Sequence, residues 1–174
     1  MRRQKKEADP VYCPFYMKIS SCMHGESCAR IHVKPKSARC IVIKNLYPNP
    51  QHFMKFIPDD VKSMIEIDEE EAISSFSRDV YRELNKFGEI SDFMVAKNLK
   101  DHLLGNVYVL YERECDAVKA LHNIRQRCYA GRPIDAEFSS ITRLSDAICK
   151  QYLDGACSYG NDCNFVHPYK HARC

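Results

Sequence analysis

The stretch "EISDFMVAKNLKDHLLGNVYVLY", residues 89–111, carries the clearest fold signal in this chain. Two runs in it are rich in β-branched and aromatic residues, "EISDFMVAK" at 89–97 and "GNVYVLY" at 105–111. A short segment, "NLKDHLL", joins them. Two such runs with a short connection predict a pair of β-strands joined by a loop.

Two amphipathic helices are predicted on either side of this β pair. "EAISSFSRDVYRELNKFG" at 71–88 and "ERECDAVKALHNI" at 112–124 carry apolar residues at the spacing of one helical face, and Gly88 ends the first helix. The residues predicted to face the core are Ile73, Phe76, Val80, Leu84, Phe87, Ala117, Ala120, Leu121 and Ile124.

Two further strands, at the start and the end of the domain, complete the pattern. "CIVIKNL" at 40–46 is a short β-branched run, and "RPIDAEF" at 132–138 is the final strand. A long loop with Pro48, Pro50 and Pro58 follows the first strand. The βαββαβ order predicts an α+β fold of the ferredoxin-like type, and therefore the RNA recognition motif (RRM) class.

The sheet surface of this domain is predicted to be poor in stacking groups. An RRM stacks bases on aromatic residues of its two central strands. By alternation, Asn106, Tyr108 and Leu110 point outward in the third strand and Val42 in the first, so one aromatic remains. Residues 40–140 also hold thirteen Lys and Arg against seventeen Asp and Glu. We therefore predict that this domain contacts protein rather than RNA.

A cysteine- and histidine-rich unit occurs twice, once on each side of the central domain. The first copy has the pattern C-x8-C-x5-C-x3-H and the second C-x7-C-x5-C-x3-H, with a glycine three residues after the second cysteine of each. The predicted ligands are Cys13, Cys22, Cys28 and His32 in the first copy, and Cys149, Cys157, Cys163 and His167 in the second.

Three thiolates and one imidazole at this spacing are typical of tetrahedral Zn²⁺. A unit of about twenty residues is too small to bury a core, so metal binding must supply its folding free energy. Four protein ligands close the coordination sphere, which predicts two structural zinc ions. An enzymatic zinc site is disfavoured, because no position stays open for water and the deaminase signature H-x-E with P-C-x-x-C is absent.

The other cysteines and the distribution of apolar residues narrow the class of protein further. Cys40, Cys115, Cys128 and Cys174 fit no ligand spacing and are interpreted as ordinary core or surface residues. There is no apolar run of membrane-spanning length, and the basic opening "MRRQKKEADP" lacks the apolar centre of a secretory signal. We expect a soluble protein in a reducing compartment, with no membrane partner.

The chain resembles the small subunit of the U2 auxiliary factor, a pre-mRNA splicing factor family. The resemblance covers nearly the whole chain and depends on "CPFYMKISSCMHGESCARIH", "DHLLGNVYV" and "CKQYLDGACSYGNDCNFVH". It implies a nuclear protein whose two fingers bind the AG dinucleotide of the 3′ splice site in single-stranded pre-mRNA. It also implies a central auxiliary-factor homology motif that binds a tryptophan-containing peptide of the large subunit and so forms a heterodimer.

The same resemblance assigns a partner site. The family's Arg-x-Phe signature appears as Arg127, Cys128 and Tyr129: Tyr129 would line the tryptophan pocket and Arg127 would pair with a helix carboxylate. Asp79 and Glu83 match acidic positions that face basic residues of the ligand, although a solvated helix face is the alternative. Close relatives carry tryptophan at the position of Cys128, and an arginine-serine or glycine-rich tail, neither of which these 174 residues contain.

The topology predicts how the fingers would contact RNA. The first and last strands of a split βαβ sheet are adjacent, so both fingers leave the same edge and should form one composite surface. Ala29 has a small side chain that would let a base approach. The other predicted RNA contacts are aromatic or basic: Phe15, Tyr16, Lys18, Arg30, Lys34, Lys36, Arg39, Lys150, Tyr152 and Phe165. Tyr16 and Tyr152 have the alternative of packing against the zinc sites.

Three units are therefore expected: a basic arm with finger 1 at 1–38, the RRM-like motif at 39–140, and a linker helix with finger 2 at 141–174. Two other functions stay open. One is a related CCCH RNA-binding factor of the minor spliceosome or of mRNA decay, and the other is a protein-interaction module with purely structural fingers.

Overall fold

A four-stranded antiparallel sheet forms the centre of the protein, in a computed structural model that describes residues 11–170. Most of the leading basic arm and Cys174 lie outside these residues. The strands are β1 (Cys40–Lys44), β2 (Ile90–Val95), β3 (Val107–Tyr111) and β6 (Asp135–Ser139). Their order across the sheet is β2-β3-β1-β6. The predicted βαββαβ order and α+β class are confirmed.

The predicted boundaries of the first and last strands were wrong by up to three residues, and the runs at 89–97 and 105–111 shorten to Ile90–Val95 and Val107–Tyr111. Strand β1 ends at Lys44 rather than residue 46, because Asn45 has a left-handed backbone with φ of 47°. The last strand begins at Asp135, because Arg132–Pro133 (β5) pairs instead with Cys128–Tyr129 (β4) in a small hairpin.

Two helices cover one face of the sheet, α4 (Glu69–Leu84) and α5 (Glu114–Ile124). Asp68 caps the start of helix α4, and its carboxylate accepts a hydrogen bond from the Glu71 amide at 2.9 Å. The predicted apolar face is confirmed: Ile73, Phe76, Val80 and Leu84 are buried, and Phe87 packs against the same core from the following 3-10 turn, Asn85–Phe87. Together with the inward residues of the sheet these helices form the first core.

The proline-containing loop after β1 is more ordered than predicted, because it holds helices α2 (Pro50–Met54) and α3 (Asp59–Lys62). Proline suits the first position of a helix, where its missing amide hydrogen has no helical acceptor. Pro50 takes that position in α2, and the Asn49 side chain accepts from the Gln51 amide at 3.0 Å. Pro58 immediately precedes α3.

The face of the sheet opposite the helices is covered by the fingers and the linker, whereas the sequence predicted an exposed surface there. Tyr108, predicted to point outward as the remaining aromatic, is fully buried, as is Val42, and Leu110 is 6% exposed. These residues belong to a second core that contains Ile19 from finger 1 and Ile148 and Val166 from finger 2. The fingers and the linker therefore occupy the surface on which other RRMs stack bases.

Both fingers leave from the same edge of the sheet, as predicted. Cys40 at the start of β1 pairs with Ser139 at the end of β6. Finger 1 contains α1 (Pro14–Ile19) and the 3-10 turn Gly25–Ser27. The 3-10 turn Leu144–Ala147 leads into finger 2, which contains α6 (Lys150–Leu153) and the 3-10 turn Gly160–Asp162. None of the helices within residues 11–170 has the length and apolar character needed to cross a membrane.

Candidate metal centres, nucleic-acid interface and partner pocket

Finger 1 brings its four predicted ligands together. The ligand atoms of Cys13, Cys22, Cys28 and His32 all lie within 4.8 Å of one another. Cys13 caps α1, and its Sγ accepts a hydrogen bond from the Tyr16 amide at 3.5 Å. Hydrogen bonds to sulfur favour the thiolate form that binds metal.

Finger 2 repeats this arrangement. The ligand atoms of Cys149, Cys157, Cys163 and His167 also lie within 4.8 Å of one another. Cys163 Sγ accepts from the Phe165 amide at 3.4 Å. The glycines three residues after the second cysteine of each finger, Gly25 and Gly160, have positive φ of 49° and 50°, which suits a tight turn.

The two centres fit structural zinc. His32 Nε2 and His167 Nε2 are buried and have no hydrogen-bond partner within residues 11–170. A buried imidazole nitrogen needs a partner, and a metal ion surrounded by three thiolates supplies one. With three cysteines and one histidine at each centre, zinc would complete a closed tetrahedral site that holds each finger folded.

The repeated tyrosines support these centres. Tyr16 stacks on His32 with ring centroids 4.3 Å apart and planes 9° apart, and Tyr152 stacks on His167 at 4.2 Å and 18°. Tyr16 is only 7% exposed, so its ring is not available to stack an RNA base, which contradicts that prediction. Tyr152 is half-buried, with one ring face against His167 and its hydroxyl donating to the Pro168 carbonyl at 3.1 Å.

A buried carboxylate fixes finger 1 to the sheet. Glu137, on β6, accepts a hydrogen bond from the Tyr16 hydroxyl at 2.7 Å and pairs with Lys34 and Lys44, both at 3.0 Å. Burial opposes ionisation, but the hydroxyl and the two ammonium groups outweigh it and lower the pKa of Glu137. Lys34, predicted to contact RNA, is therefore already paired with a carboxylate.

A buried amide fixes finger 2. Asn98, which follows β2, donates from Nδ2 to the carbonyl oxygens of Cys163 at 3.1 Å and Phe165 at 3.0 Å. Its Oδ1 accepts from the His167 amide at 2.8 Å. One fully buried side chain thus holds the segment that carries two of the four ligands.

The two fingers touch each other through aromatic rings. Phe15 and Phe165 have ring centroids 5.6 Å apart with planes tilted by 45°, and both are half-buried. The Lys18 ammonium lies 6.0 Å from the centroid of Phe165. The composite surface predicted from the topology therefore exists.

An open cleft of about 390 Å³ lies on finger 1 beside Phe15, and the ligands Cys13, Cys22 and Cys28 form its inner wall. Ala29 and Arg30 line it, and both are exposed. Lys18, Lys36, Arg39 and Lys150 are exposed as well. Arg39 lies by the sheet, where its guanidinium donates to the Glu112 carbonyl at 3.5 Å.

The predicted partner residues surround a separate, largely apolar pocket of about 250 Å³ on the helical side. Arg127 pairs with Glu83 at 2.7 Å, as predicted for a helix carboxylate. Hydrogen bonds from Lys86 and Arg127 lower the pKa of Glu83. The pocket is lined by Ile43, Leu46, Asp79, Val80, Glu83, Leu84, Ile124, Arg127, Cys128, Tyr129 and Ile134.

Tyr129 forms part of the pocket wall and packs edge-on against Phe76, with centroids 5.6 Å apart. Burial raises the pKa of Tyr129, and the Asp79 carboxylate adds to this shift. Cys128 is exposed at the rim. Of the other cysteines interpreted as ordinary, Cys40 is buried in the second core and Cys115 is exposed.

Sequence reasoning missed Glu137 and Asn98, which orient the fingers. Glu137 belongs to an alternating strand and Asn98 to a loop, and neither is near its partners in sequence: 121 residues separate Tyr16 from Glu137. No local pattern distinguishes them, so the tertiary structure alone reveals their roles.

The fold and these sites define a class of protein: an RRM-type domain flanked by two CCCH zinc fingers. The family model "Zinc finger C-x8-C-x5-C-x3-H type (and similar)" matches residues 9–34 and 145–169. The Rattus norvegicus protein "Splicing factor U2AF 26 kDa subunit" is 40% identical over 92% of this chain and 74% of its own length. The Schizosaccharomyces pombe "Splicing factor U2AF 23 kDa subunit" is 38% identical over 94% and 74%.

The chain belongs to the U2AF small subunit family of splicing factors. It spans 57% of a U2af small subunit from Arabidopsis thaliana, to which it is 39% identical, and 62% of the Drosophila melanogaster "Splicing factor U2af 38 kDa subunit". Among solved structures, "Structure of RNA15 RRM" matches 63% of this chain and 98% of that chain with a TM-score of 0.38 and 13% identity.

Proposed function

We propose that the chain is a nuclear pre-mRNA splicing factor whose fingers jointly bind the AG dinucleotide of a 3′ splice site. In the same proposal, the pocket on the helical side binds a tryptophan-containing peptide of the large subunit, which makes the functional unit a heterodimer. Family membership supports the splicing role, and the geometry of the two surfaces supports the finer assignments.

The contact between Phe15 and Phe165 is the observation that carries the RNA proposal. Two half-buried rings from different fingers, with the Lys18 ammonium nearby, combine stacking surface with positive charge. Unpaired bases are recognised by such stacking together with hydrogen bonds to their edges. Because the sheet face is covered, the fingers are the best remaining RNA platform.

The cleft beside Phe15 is the best candidate for a base pocket. Its wall includes Ala29, whose methyl group leaves room, and Arg30, which presents a planar guanidinium for stacking or hydrogen bonding. Both residues are exposed, as a direct contact requires.

The partner proposal depends on the shape and charge of the pocket. Its wall is mostly apolar, with Tyr129 on one side and Asp79 and Glu83 on the helix. An indole ring fits an apolar pocket of this size, and carboxylates at the rim favour basic residues beside it. Arg127 already pairs with Glu83, so Asp79 is the carboxylate better placed to meet a ligand cation.

The decisive experiment is a titration of the zinc-loaded chain with fluorescent uridine-rich octanucleotides that differ only in carrying AG or AC. It is run with and without a tryptophan-containing basic peptide. We expect tighter binding to AG, and loss of about 1–3 kcal/mol of binding energy in Phe165→Ala. Tyr159→Ala, an exposed aromatic of the same finger, is the matched control. Equal affinity for the AG and AC RNAs would overturn the proposal.

The base pocket has its own test. Ala29→Phe fills the cleft, so we expect weaker binding or a changed base preference with both zinc ions retained. Unchanged affinity together with unchanged base preference would reject the assignment of Ala29 as an RNA contact.

A further inference from the structure

The segment between β1 and α4 exposes an unusual concentration of apolar side chains. Fifteen large hydrophobic residues are exposed within residues 11–170, and six of them fall between residues 53 and 67. Met64 is 83% exposed and Phe56 is 76% exposed. We define the insertion surface as residues 50–71. Its exposed apolar residues are Phe53, Phe56, Val61, Met64, Ile65 and Ile67.

Four of these side chains lie in two local groups rather than singly. The His52 ring contacts Phe53 and Phe56 edge-on, with centroid distances of 5.8 and 5.4 Å. Ile65 and Ile67 line a cleft of about 250 Å³ together with Met54. Connected apolar patches on a protein surface mark interaction sites, whereas single exposed hydrophobic residues need no explanation.

The insertion surface is attached to the rest of the protein. The Asn161 side chain in finger 2 donates to Gln51 Oε1 at 3.5 Å, and Gln51 Nε2 donates at 3.0 Å to the carboxylate of Glu69, the first residue of helix α4. The buried Asn49 side chain, which caps α2, also donates to the Lys97 carbonyl at 3.4 Å. A surface held in this way can bind without paying the entropy of ordering a free loop.

The charge of this surface identifies the kind of partner. Residues 50–71 contain two lysines and seven carboxylates, so 2 − 7 gives a net charge of −5. Lys62 is already paired with Asp59 at 2.8 Å. RNA and anionic lipid would be repelled, and a cationic partner would be attracted. The carboxylates are Asp59, Asp60, Glu66, Asp68, Glu69, Glu70 and Glu71.

We propose that the insertion surface binds a basic amphipathic helix of a partner protein. The apolar face of such a helix covers the exposed apolar residues of the insertion surface and enters the cleft beside Met54. Its lysines and arginines pair with the surrounding carboxylates. The site shares no lining residue with the pocket at Arg127. A helix at the insertion surface and a tryptophan peptide in the pocket at Arg127 therefore do not compete for the same residues.

The test uses the zinc-loaded chain and a fluorescent model helix of fourteen residues, built from leucine on one face and lysine on the other. We expect Phe56→Ser combined with Met64→Ser to weaken binding at least tenfold. The matched control is Leu153→Ser with Tyr159→Ser, which removes exposed apolar side chains from finger 2 and should leave affinity unchanged. Similar affinity for all three proteins would overturn the proposal.

Charge variants, a check that each variant is folded and a measurement of oligomeric state complete the experiment. Asp60→Asn with Glu66→Gln should weaken binding three- to tenfold, whereas Glu89→Gln with Glu114→Gln should not. Two bound zinc ions and unchanged affinity for a tryptophan peptide show that each variant is folded. A dimer in sedimentation that Phe56→Ser and Met64→Ser abolish would assign the surface to a second copy of the chain. Stronger helix binding after deletion of residues 1–10 would assign it to the chain's own basic arm. Either result would contradict the proposal.

Discussion

The Tyr108 hydroxyl donates a hydrogen bond to the Ile19 carbonyl oxygen at 2.9 Å, which joins the centre of the sheet to the last residue of helix α1 in finger 1. Tyr108 is fully buried, and burial raises its pKa well above the ordinary range, so the hydroxyl remains a donor at any physiological pH. A position where other RRMs stack a base is therefore used here to attach a zinc finger.

Removing this hydroxyl should loosen finger 1. In Tyr108→Phe the Ile19 carbonyl is left buried without its donor, which we expect to cost about 1–2 kcal/mol of unfolding free energy in urea denaturation. Tyr159→Phe, an exposed tyrosine, should change stability by less than about 0.5 kcal/mol. Equal stability of the two variants would contradict the role of this bond.

Neutralising Glu137 should weaken the same attachment from the other side. Glu137→Gln removes the charge that pairs with Lys34 and Lys44. We expect a loss of about 1–2 kcal/mol, below the roughly 3–5 kcal/mol of a fully buried pair, because both lysines keep access to solvent. Amide hydrogen exchange should rise in finger 1 and not in finger 2. Glu89→Gln serves as the exposed control, and protection that is unaltered in finger 1 would refute the prediction.

Finger 2 should respond to Asn98 in a corresponding way. Asn98→Ala leaves two carbonyl oxygens and one amide hydrogen without their buried partner, so we expect a loss of about 2–3 kcal/mol and lower zinc affinity at finger 2 alone. Asn123→Ala removes one exposed hydrogen bond and should be nearly neutral. Normal zinc affinity in the Asn98 variant would show that the amide does not position the ligands.

Zinc removal should open the outer face of the sheet while the helical core persists. Elemental analysis should give two zinc ions per chain, one in Cys149→Ser, and two in the control Cys115→Ser. Chelation should unfold both fingers, because units of this size fold with their metal. A hydrophobic dye should then bind where Ile19 and Val166 had covered Val42 and Leu110. Intact finger structure after complete chelation would disprove the structural role of the metal.

Arg127 should matter for the partner and not for RNA. Arg127→Ala removes a side chain that lines the pocket and is held by Glu83, so the indole loses part of its wall and we expect at least tenfold weaker binding of a tryptophan-containing basic peptide in calorimetry. Arg143→Ala, which removes an exposed pair with Asp146, is the matched control. AG RNA binding in the absence of peptide should be equal in both variants. Full peptide affinity in Arg127→Ala would rule out this pocket.

Much of the fold could be predicted because its signals are local. The stripe from Ile73 to Leu84 lies on a single helical face, and the alternation in β3 is contained in five residues. The prediction that Tyr108 is exposed on the sheet surface failed because its signal is not local. Alternation correctly placed its side chain on the outer face, but it could not show that Ile19, 89 residues away, would cover that face. The helices at Pro50 and Asp59 were missed because proline reads equally well as a loop signal and as a helix start.

The metal centres could be identified from the sequence, because all four ligands of each centre lie within about twenty residues and coordination geometry restricts their spacing. The βαββαβ order could be predicted as well, from periodicities that each element carries internally. The placement of the fingers on the sheet is visible only in the folded protein, because Glu137, Asn98 and the Phe15–Phe165 contact act between residues far apart in the chain. Such contacts form from the shape and charge of complete surfaces, which no short stretch of sequence contains.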